Sequence, residues 1–446
     1  MSKHRANNVK RRRIIVGAAA TGGLAAASAA GYWLTRSDDE PATPPTAEES
    51  ASPTAEPSAS PSPEPDGERG AANSTKDGAL PGKGGHPGLL HTQDDFDRMA
   101  EKVSAGESPW IEGWNRLTAN GRSHADWGAR PTAVVIRGGD GSNVGVLFTD
   151  VHAAYQNALR WRISGDEAHR DKAVEILNAW SATLTEINGN ADRFLAAGIY
   201  GYQAANAAEL VRDVDGFELG RFQDMLADVF YPLNDHFLTN HNDACVTNYW
   251  SNWDLCNLAS VMAIGVFNED QSLFDRAVDY MYNGEGNGSL DNAIPFVHDG
   301  GLAQQQESGR DQAHSLMATG LLGAICEMAW NQGVDLYGYD DGKVAKCAEY
   351  VARYNLGRDV PFTTYQWGHG QTCAPREQTV ISETQRGQVR PVWESIYHHY
   401  AGRQGREMPN VADMIAQNGP EGGGGDYGGG SGGYDALGFG TLAFAR

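Results

Sequence analysis

Amphipathic helical patterns follow one another through most of the chain from His86 onward, and this succession constrains the fold more than any other feature. In the stretch DEAHRDKAVEILNAWSATL, Ala173, Leu177 and Trp180 recur at helical spacing, with polar residues on the opposite face. Similar stretches lie near 93–118, 148–163, 193–212, 218–230, 248–266, 269–282, 311–332, 341–355 and 388–402. Short Gly, Asn or Asp connections favour antiparallel helical hairpins. The sequence therefore predicts an all-α fold, an (α/α) toroid or incomplete barrel.

Two irregular regions interrupt the helical pattern. Residues 356–387 contain YQWGHGQTCAPREQ, and the tail from Asn418 contains GGGGDYGGGSGGYDALGFG. Neither has a helical period, so both are predicted to be loops or caps on the helical domain.

The N-terminus has the composition of an export signal. Basic residues Arg11 to Arg13 lead directly into Ile14 and an Ala/Gly-rich stretch, as in a twin-arginine signal, and Ala27-Ser28-Ala29 offers a cleavage site. An uncleaved membrane anchor is the alternative, since residues 14–34 are long enough to span a bilayer. We expect residues 1–36 to be the signal or anchor, and the protein to be secreted or anchored in the membrane.

Residues 37–85 are rich in Pro, Ser and Glu, as in PSASPSPEPDGE, and predict a disordered linker. Residues 86–446 then form the folded domain. The chain has 35 Lys and Arg against 57 Asp and Glu, a net charge of −22, which argues against nucleic acid as a partner. An anionic substrate would need local cations, for which Arg310, Arg376, Arg386 and Arg390 are candidates.

The five cysteines show no CxxC spacing and no accompanying pair of histidines, so neither a metal site nor a cofactor is expected. In an exported chain they allow at most two disulfides and leave one thiol, with the pairing open. Adjacent His398 and His399 point in different directions on a helix and do not suggest a shared ion. We expect a monomer.

Two segments carry the chemistry. In NYWSNWDLCNLASVMAIGVF, residues 248–267, Asn248 and Asn252 are four apart and are expected on one helix face, although helix-capping roles are an alternative. In DGGLAQQQESGRDQAHSLMATGLLGAICEMAW, residues 299–330, Glu307, Arg310 and His314 are spaced to share a face, where the Glu can orient the Arg or the His. A surface salt-bridge ladder is the plainer interpretation.

These residues carry a resemblance. NWDLCNLA resembles the Asn-Trp helix of toroid polysaccharide lyases, and DGG followed by QES and His314 resembles their DGS-and-His segment. With HPGLLHTQDDFDRMAEKV and RGQVRPVWESIYHHY, most of residues 86–446 is similar to secreted actinobacterial proteins of the alginate lyase superfamily. The resemblance implies β-elimination of a uronate polysaccharide, such as alginate or a glucuronan-like polyuronate.

β-Elimination requires neutralisation of the uronate carboxylate, a base for the C5 proton and an acid for the leaving oxygen. By the resemblance, Asn252 is the neutralising amide and His314 the base. Tyr397 is the candidate acid or acid/base, with Arg390 two turns before it on the same face if the helix continues after Pro391. Tyr249 and Tyr365 compete with Tyr397.

The remaining candidates are expected to bind substrate. They are Asn248, Trp253, Gln306, Glu307, Arg310, Tyr365 and Arg386. Better-known alginate lyases have a His directly after the key Asn, where this chain has Trp253, so that role would pass to Arg310 or His314. If His314 takes it, a Tyr alone would serve as base and acid.

Two other functions remain open from the sequence. A glycoside hydrolase on a similar toroid would use Asp254 and Glu307 as base and acid. A non-catalytic envelope protein would bind polysaccharide through its aromatic side chains.

Overall fold

The computed structural model describes residues 86–446, so the predicted signal and linker lie outside the described residues. The helices, numbered in chain order, are α1 Gln93–Ala105, α2 Trp110–Ala119, α3 Gly145–Ser164, α4 Glu167–Thr183, α5 Asp192–Glu209, α6 Leu219–Met225, α7 Tyr231–Asn240, α8 Ser251–Phe267, α9 Gln271–Asn283, α10 Leu290–Ala293, α11 Gln312–Asn331, α12 Tyr339–Asn355, α13 Glu394–Tyr397, α14 Pro409–Asn418 and α15 Gly440–Phe444. None of these helices has the length and apolarity to cross a membrane.

Successive helices pack as hairpins. Helix α3 packs on α4 and α5, α8 on α5, α7, α9 and α11, and α12 on α11 and α14. One large apolar core runs through all of these contacts. The predicted all-α toroid is confirmed. Helices α7, α10, α14 and α15 were not predicted. A π-helical turn at Leu226–Phe230 joins α6 to α7, and each of the four helices is ten residues or shorter.

Helix α8 is the central element of the fold. Every residue from Ser251 to Phe267 is buried, and the helix has apolar residues all round. Its contact with α5 depends on glycine: a Cβ on Gly198 would lie 2.4 Å from the sulfur of Cys256, and one on Gly201 would lie 2.2 Å from Ser260 Oγ. The two backbones therefore approach closely, and the first turn of α8 is held rigidly in the interior.

Three small sheets interrupt the helices. Strand β1 (Val134–Arg137) pairs in parallel with β2 (Glu186–Gly189). Strand β3 (Phe296–His298) pairs antiparallel with β4 (Leu302–Gln304). Strand β5 (Tyr365–His369) and β6 (Ala374–Gln378) form a hairpin within the region 356–387 that was predicted as loop or cap. The hairpin matters most for function, because it lies beside the start of α8.

The described cysteines form one disulfide, between Cys245 and Cys373, which joins the segment before α8 to the tip of the β5–β6 hairpin. Cys256, Cys326 and Cys347 are buried thiols. Burial raises the pKa of all three, so they remain protonated and unreactive.

The glycine-rich tail is inserted against the helices. The carbonyl oxygen of Gly424 accepts hydrogen bonds from the side-chain amides of Asn120 and Gln156. A Cβ on Gly424 would lie 2.2 Å from the ring of His152. Here glycine allows the backbone to approach a buried polar row on α3, and the tail has the expected role of a cap.

Candidate active site

A fully buried carboxylate, that of Glu307, organises the start of α8. Its Oε1 atom accepts hydrogen bonds from Ser251 Oγ at 3.0 Å, the Asn252 backbone N–H at 2.8 Å and Asn252 Nδ2 at 2.9 Å. Its Oε2 atom accepts from Asn252 Nδ2 at 2.9 Å and Arg310 at 3.0 Å. The carboxylate thus satisfies one backbone donor of a helix N-terminus and fixes two of the predicted site residues, Asn252 and Arg310.

Arg310 links this buried network to the surface. Its guanidinium donates to Glu307, lies 3.6 Å from an oxygen of Asp311, and sits 5.2 Å from the ring centroid of Trp250. Its side chain is 23% exposed whereas Glu307 is 0% exposed, so a substrate can reach the cation but not the carboxylate.

Asp311 and His314 form a hydrogen-bonded pair. The Asp311 Oδ2 atom is 2.7 Å from His314 Nδ1, and its Oδ1 accepts the His314 backbone N–H at 2.9 Å. Burial alone would raise the pKa of Asp311, but the hydrogen bond and charge of His314, together with Arg310, hold it below its ordinary value. An ionised Asp311 places the imidazole proton on Nδ1, which leaves the Nε2 lone pair of a 31% exposed side chain free to act as a base.

The local backbone explains this arrangement and corrects one prediction. Glu307, Arg310 and His314 do not share a face of one helix: Gln306–Gly309 forms a 3-10 turn, and α11 begins at Gln312. Asp311 is the N-cap of α11, so the capping geometry itself positions its carboxylate beside His314. The polar side chains lie close together because the chain changes from a 3-10 turn to an α-helix here, and not because they recur at the spacing of one continuous helix.

A second correction concerns Asn248 and Asn252, which do not share a helix face because α8 begins at Ser251. The Asn248 side chain instead accepts the backbone N–H of Gly370 at 2.6 Å. Asn248 therefore holds the β5–β6 hairpin, while Asn252 contacts Glu307.

Gln306 and Tyr365 lie at the inner edge of the site. Gln306 Oε1 accepts the backbone N–H of Ser251 at 3.0 Å. The hydroxyl of Tyr365 donates to Asn287 Oδ1 at 3.2 Å, and burial raises the pKa of Tyr365 to about 12. Both side chains support the surrounding backbone in this structure.

Two predicted substrate-binding residues lie elsewhere. The ring of Trp253 is buried against Phe194 and Phe237, where no substrate reaches it. Arg386 donates to the carbonyl oxygen of Tyr354 at 2.7 Å and stacks on that ring, so it secures the end of α12.

Arg390 and Tyr397 do not form the predicted pair on one helix face. Helix α13 begins only at Glu394 and continues as a π-helical turn, His398–Arg403, so Arg390 precedes the helix. Residues 390–393 are not helical, and Pro391 disfavours the α conformation at Arg390. The prediction of a continuous helix after Pro391 was wrong.

Arg390 pairs with Asp435 at 2.7 Å and also donates to the Gly432 carbonyl oxygen. It borders a cavity of about 10 Å³, whose wall includes Met317, one turn beyond His314 on α11. The Arg390 side chain is 6% exposed and is held by Asp435 and Gly432, so it secures the glycine-rich tail.

Tyr397 lies farther away. Helix α13 contacts α11 at Gly323, where a Cβ would meet Ile396 and Ser395. That point is nine residues beyond His314, or about 13 Å along the helix axis. The ring of Tyr397 is half-buried against the core, so the structure does not bring it to the Asp311–His314 pair.

The carboxylate of Asp254 is buried away from the Asp311–His314 pair. Its Oδ2 accepts the Gly288 backbone N–H at 2.9 Å and the Tyr280 hydroxyl at 3.2 Å, and its Oδ1 lies 3.4 Å from His241 Nε2. Because Glu307 is also fully buried and hydrogen-bonded, neither carboxylate faces substrate as an inverting hydrolase would require.

Across residues 86–446 no cluster of His, Cys, Asp and Glu has the geometry of a metal site. His398 hydrogen-bonds to Glu394, and His399 stacks on Tyr337 at 3.8 Å, so the adjacent histidines have separate packing roles.

Sequence reasoning did not identify Asp311 or Trp367. An Asp directly before an apolar helix, with His at the third helical position, is a recognisable capping pattern that would have indicated the first. Trp367 gave no signal, because its position beside Trp250 depends on contacts between the β5–β6 hairpin and a segment more than a hundred residues earlier in the chain.

A model of the alginate lyase family matches residues 139–360, almost half of the chain, which includes Asn252, Glu307, Arg310 and His314. Curated protein sequences give no match.

Solved structures share the fold at low identity. An alginate lyase from Bacteroides ovatus aligns with a TM-score of 0.51 and 13% identity, over 75% of this chain and 96% of its own. Alginate lyase A1-III from Sphingomonas species A1 aligns with a TM-score of 0.51 and 14% identity, over 81% and 100%. Residues 139–360 thus resemble the alginate lyase family, and the described residues share the fold of solved alginate lyases.

Proposed function

We propose that the protein cleaves a uronate-containing polysaccharide, alginate or a glucuronan-like polyuronate, by β-elimination at the Arg310–Asp311–His314 site. The observation that carries this proposal is the 2.7 Å contact between Asp311 and His314 Nδ1. Because Nδ1 is engaged, the Nε2 atom of this partly exposed side chain is the atom that acts as a base.

Arg310 neutralises the carboxylate of the uronate. Glu307 engages one guanidinium nitrogen, and the exposed part of the side chain remains available for a charge-assisted hydrogen bond to substrate. Asn252, whose amide nitrogen is directed at Glu307, acts by holding that carboxylate and so the orientation of Arg310. This reverses the roles predicted from the sequence, where Asn252 contacts the substrate itself.

His314 takes the proton from C5 through Nε2 and becomes an imidazolium stabilised by Asp311. The electron pair of the C5–H bond forms the C4–C5 double bond, the C4–O bond breaks, and the imidazolium returns the proton to the leaving oxygen. Atoms and charges balance without another reactant. A single group can do both steps only if C5–H and C4–O lie on the same side of the ring, as in D-mannuronate and D-glucuronate.

Secretion, expected from the N-terminus, is part of the proposal. A disulfide between Cys245 and Cys373 is typical of a protein that works in an oxidising compartment, where such polymers are found.

The test is incubation of the protein with alginate enriched in mannuronate, alginate enriched in guluronate, glucuronan and pectate, while the ultraviolet absorbance of the unsaturated uronate is followed. We expect absorbance to rise on mannuronate-rich alginate or glucuronan and to be lost in His314→Ala. His124→Ala, at an exposed histidine between α2 and α3, is the matched control and retains the activity.

Four outcomes contradict the proposal. Activity that survives His314→Ala removes the assigned base. A preference for guluronate or galacturonate polymers contradicts a single acid-base group. Chain shortening without absorbance indicates hydrolysis, and the absence of any product favours a binding protein.

A further inference from the structure

A pair of half-buried tryptophans lies next to the Glu307 network. Trp250 is the N-cap residue of α8, and its ring centroid is 5.0 Å from that of Trp367 on β5. Trp367 in turn stacks on Tyr365 at 5.9 Å with the planes 14° apart. Trp367 is only half-buried, although an indole of this size is usually buried in a core or an interface.

Two cations flank this pair. Arg310 lies over Trp250 with its guanidinium carbon 5.2 Å from the ring centroid. Arg376 on β6 is directly opposite Trp367 in the antiparallel register, and cross-strand partners project from the same face of a hairpin. Arg376 is exposed. An aromatic surface with two neighbouring arginines complements a ring that has an apolar face and a carboxylate.

The hairpin that carries Trp367 and Arg376 is tied to the segment before α8. A two-stranded hairpin alone is marginally stable, but here the Cys245–Cys373 disulfide closes its tip. Thr247 Oγ1 accepts the Gly368 N–H at 2.9 Å, and the Cys245 N–H donates to Gly370 at 2.9 Å. The position of Trp367 beside Trp250 is therefore set by covalent and hydrogen-bonded links.

We infer that Trp250, Trp367 and Arg376 form a sugar-binding subsite that stacks one uronate ring of the polymer beside the residue being cleaved. The C–H bonds on a pyranose face carry partial positive charge and are attracted to the negative face of an indole ring. Arg376 binds the carboxylate of that ring. The inference rests on the proposed function, because it takes the ligand to be a polyuronate.

Binding without turnover tests the subsite separately from the chemistry. Calorimetric titration of His314→Ala with hexasaccharides of mannuronate and of glucuronate gives the reference affinity. Adding Trp367→Ala is expected to weaken binding by about tenfold, and adding Arg376→Ala by severalfold. Trp161→Ala, at a half-buried tryptophan on α3 that stacks with Arg162, is the matched control and leaves the Kd unchanged.

In the active enzyme, Trp367→Ala is expected to raise KM about tenfold while kcat changes less than twofold, since the acid-base pair is untouched. Replacing both Cys245 and Cys373 with Ser should raise KM in the same direction. An unchanged Kd in Trp367→Ala, or no binding of either hexasaccharide, overturns the subsite. If His314→Ala stays active, the mechanism fails, and the KM of Trp367→Ala in the active enzyme then decides the subsite.

Discussion

Replacing Asp311 with Asn tests whether the carboxylate sets the tautomer of His314. In the native protein Oδ1 caps α11 and Oδ2 accepts the Nδ1 proton. An asparagine can keep the cap with its carbonyl oxygen, but its NH2 group then faces Nδ1 and must donate to it. The imidazole proton moves to Nε2, so the lone pair that should take the C5 proton is no longer available.

The expected effect is large on catalysis and small on folding. Losing a positioned general base lowers kcat by about 10²–10⁴-fold. Asn is about as good an N-cap as Asp, so the folding cost should stay below about 1 kcal/mol. Because the pKa of Asp311 is held below its ordinary value, the carboxylate is ionised throughout neutral pH, and the loss should persist there.

The assay is the initial rate of absorbance increase at saturating polymer, with a thermal unfolding midpoint for each variant. Asp270→Asn is the matched control, because the exposed Asp270 side chain caps α9 by accepting backbone N–H groups, as Asp311 caps α11, but does not contact a histidine. A value of kcat within twofold of the native protein in a folded Asp311→Asn variant would refute the tautomer argument. A large drop in the midpoint would show that the residue acts through folding instead.

Three further predictions concern stability and can be checked by thermal unfolding. Burial and the neighbouring Glu394 raise the pKa of Glu421, so the folded state favours a protonated Glu421 and loses stability as pH rises above the ordinary pKa of a glutamate. Glu394→Gln should therefore be more stable than the native protein by about 1 kcal/mol at pH 8 and by less at pH 4.5. An equal gain in stability at both pH values would contradict this explanation. Burial and Arg403 lower the pKa of His399 to about 3, so stability should fall as pH drops below 6.5; a midpoint unchanged between pH 7 and pH 4 would argue against it. Gly198→Ala should cost about 1–3 kcal/mol, since its Cβ would lie 2.4 Å from Cys256 Sγ; an unchanged midpoint would mean that α5 and α8 can separate freely.

The candidate site was predictable where its residues lie close together in the sequence. Glu307, Arg310 and His314 span eight positions, and an unusual density of polar groups before an apolar helix is visible without a structure. Their partner Asn252 was also recognised. Their geometry was not, because the prediction assumed one continuous helix where the chain forms a 3-10 turn and then a new N-cap at Asp311.

The pairing of Arg390 with Tyr397 shows the opposite case. Spacing by seven places two residues on one face only if the helix is continuous, and this helix begins at Glu394. Sequence distance cannot show where a helix starts when a proline and tertiary contacts decide it. Tyr397 consequently packs beside the far half of α11.

Apolar periodicity by itself determined the all-α class and the location of most helices, because burying one stripe of each helix is the main requirement of such a fold. The tertiary structure alone decided that Asn252 faces Glu307, that Asp311 faces His314, and that Trp367 lies on Trp250. Each of these contacts depends on where a helix begins or on which distant segments meet, and side-chain periodicity within one segment carries no information about either.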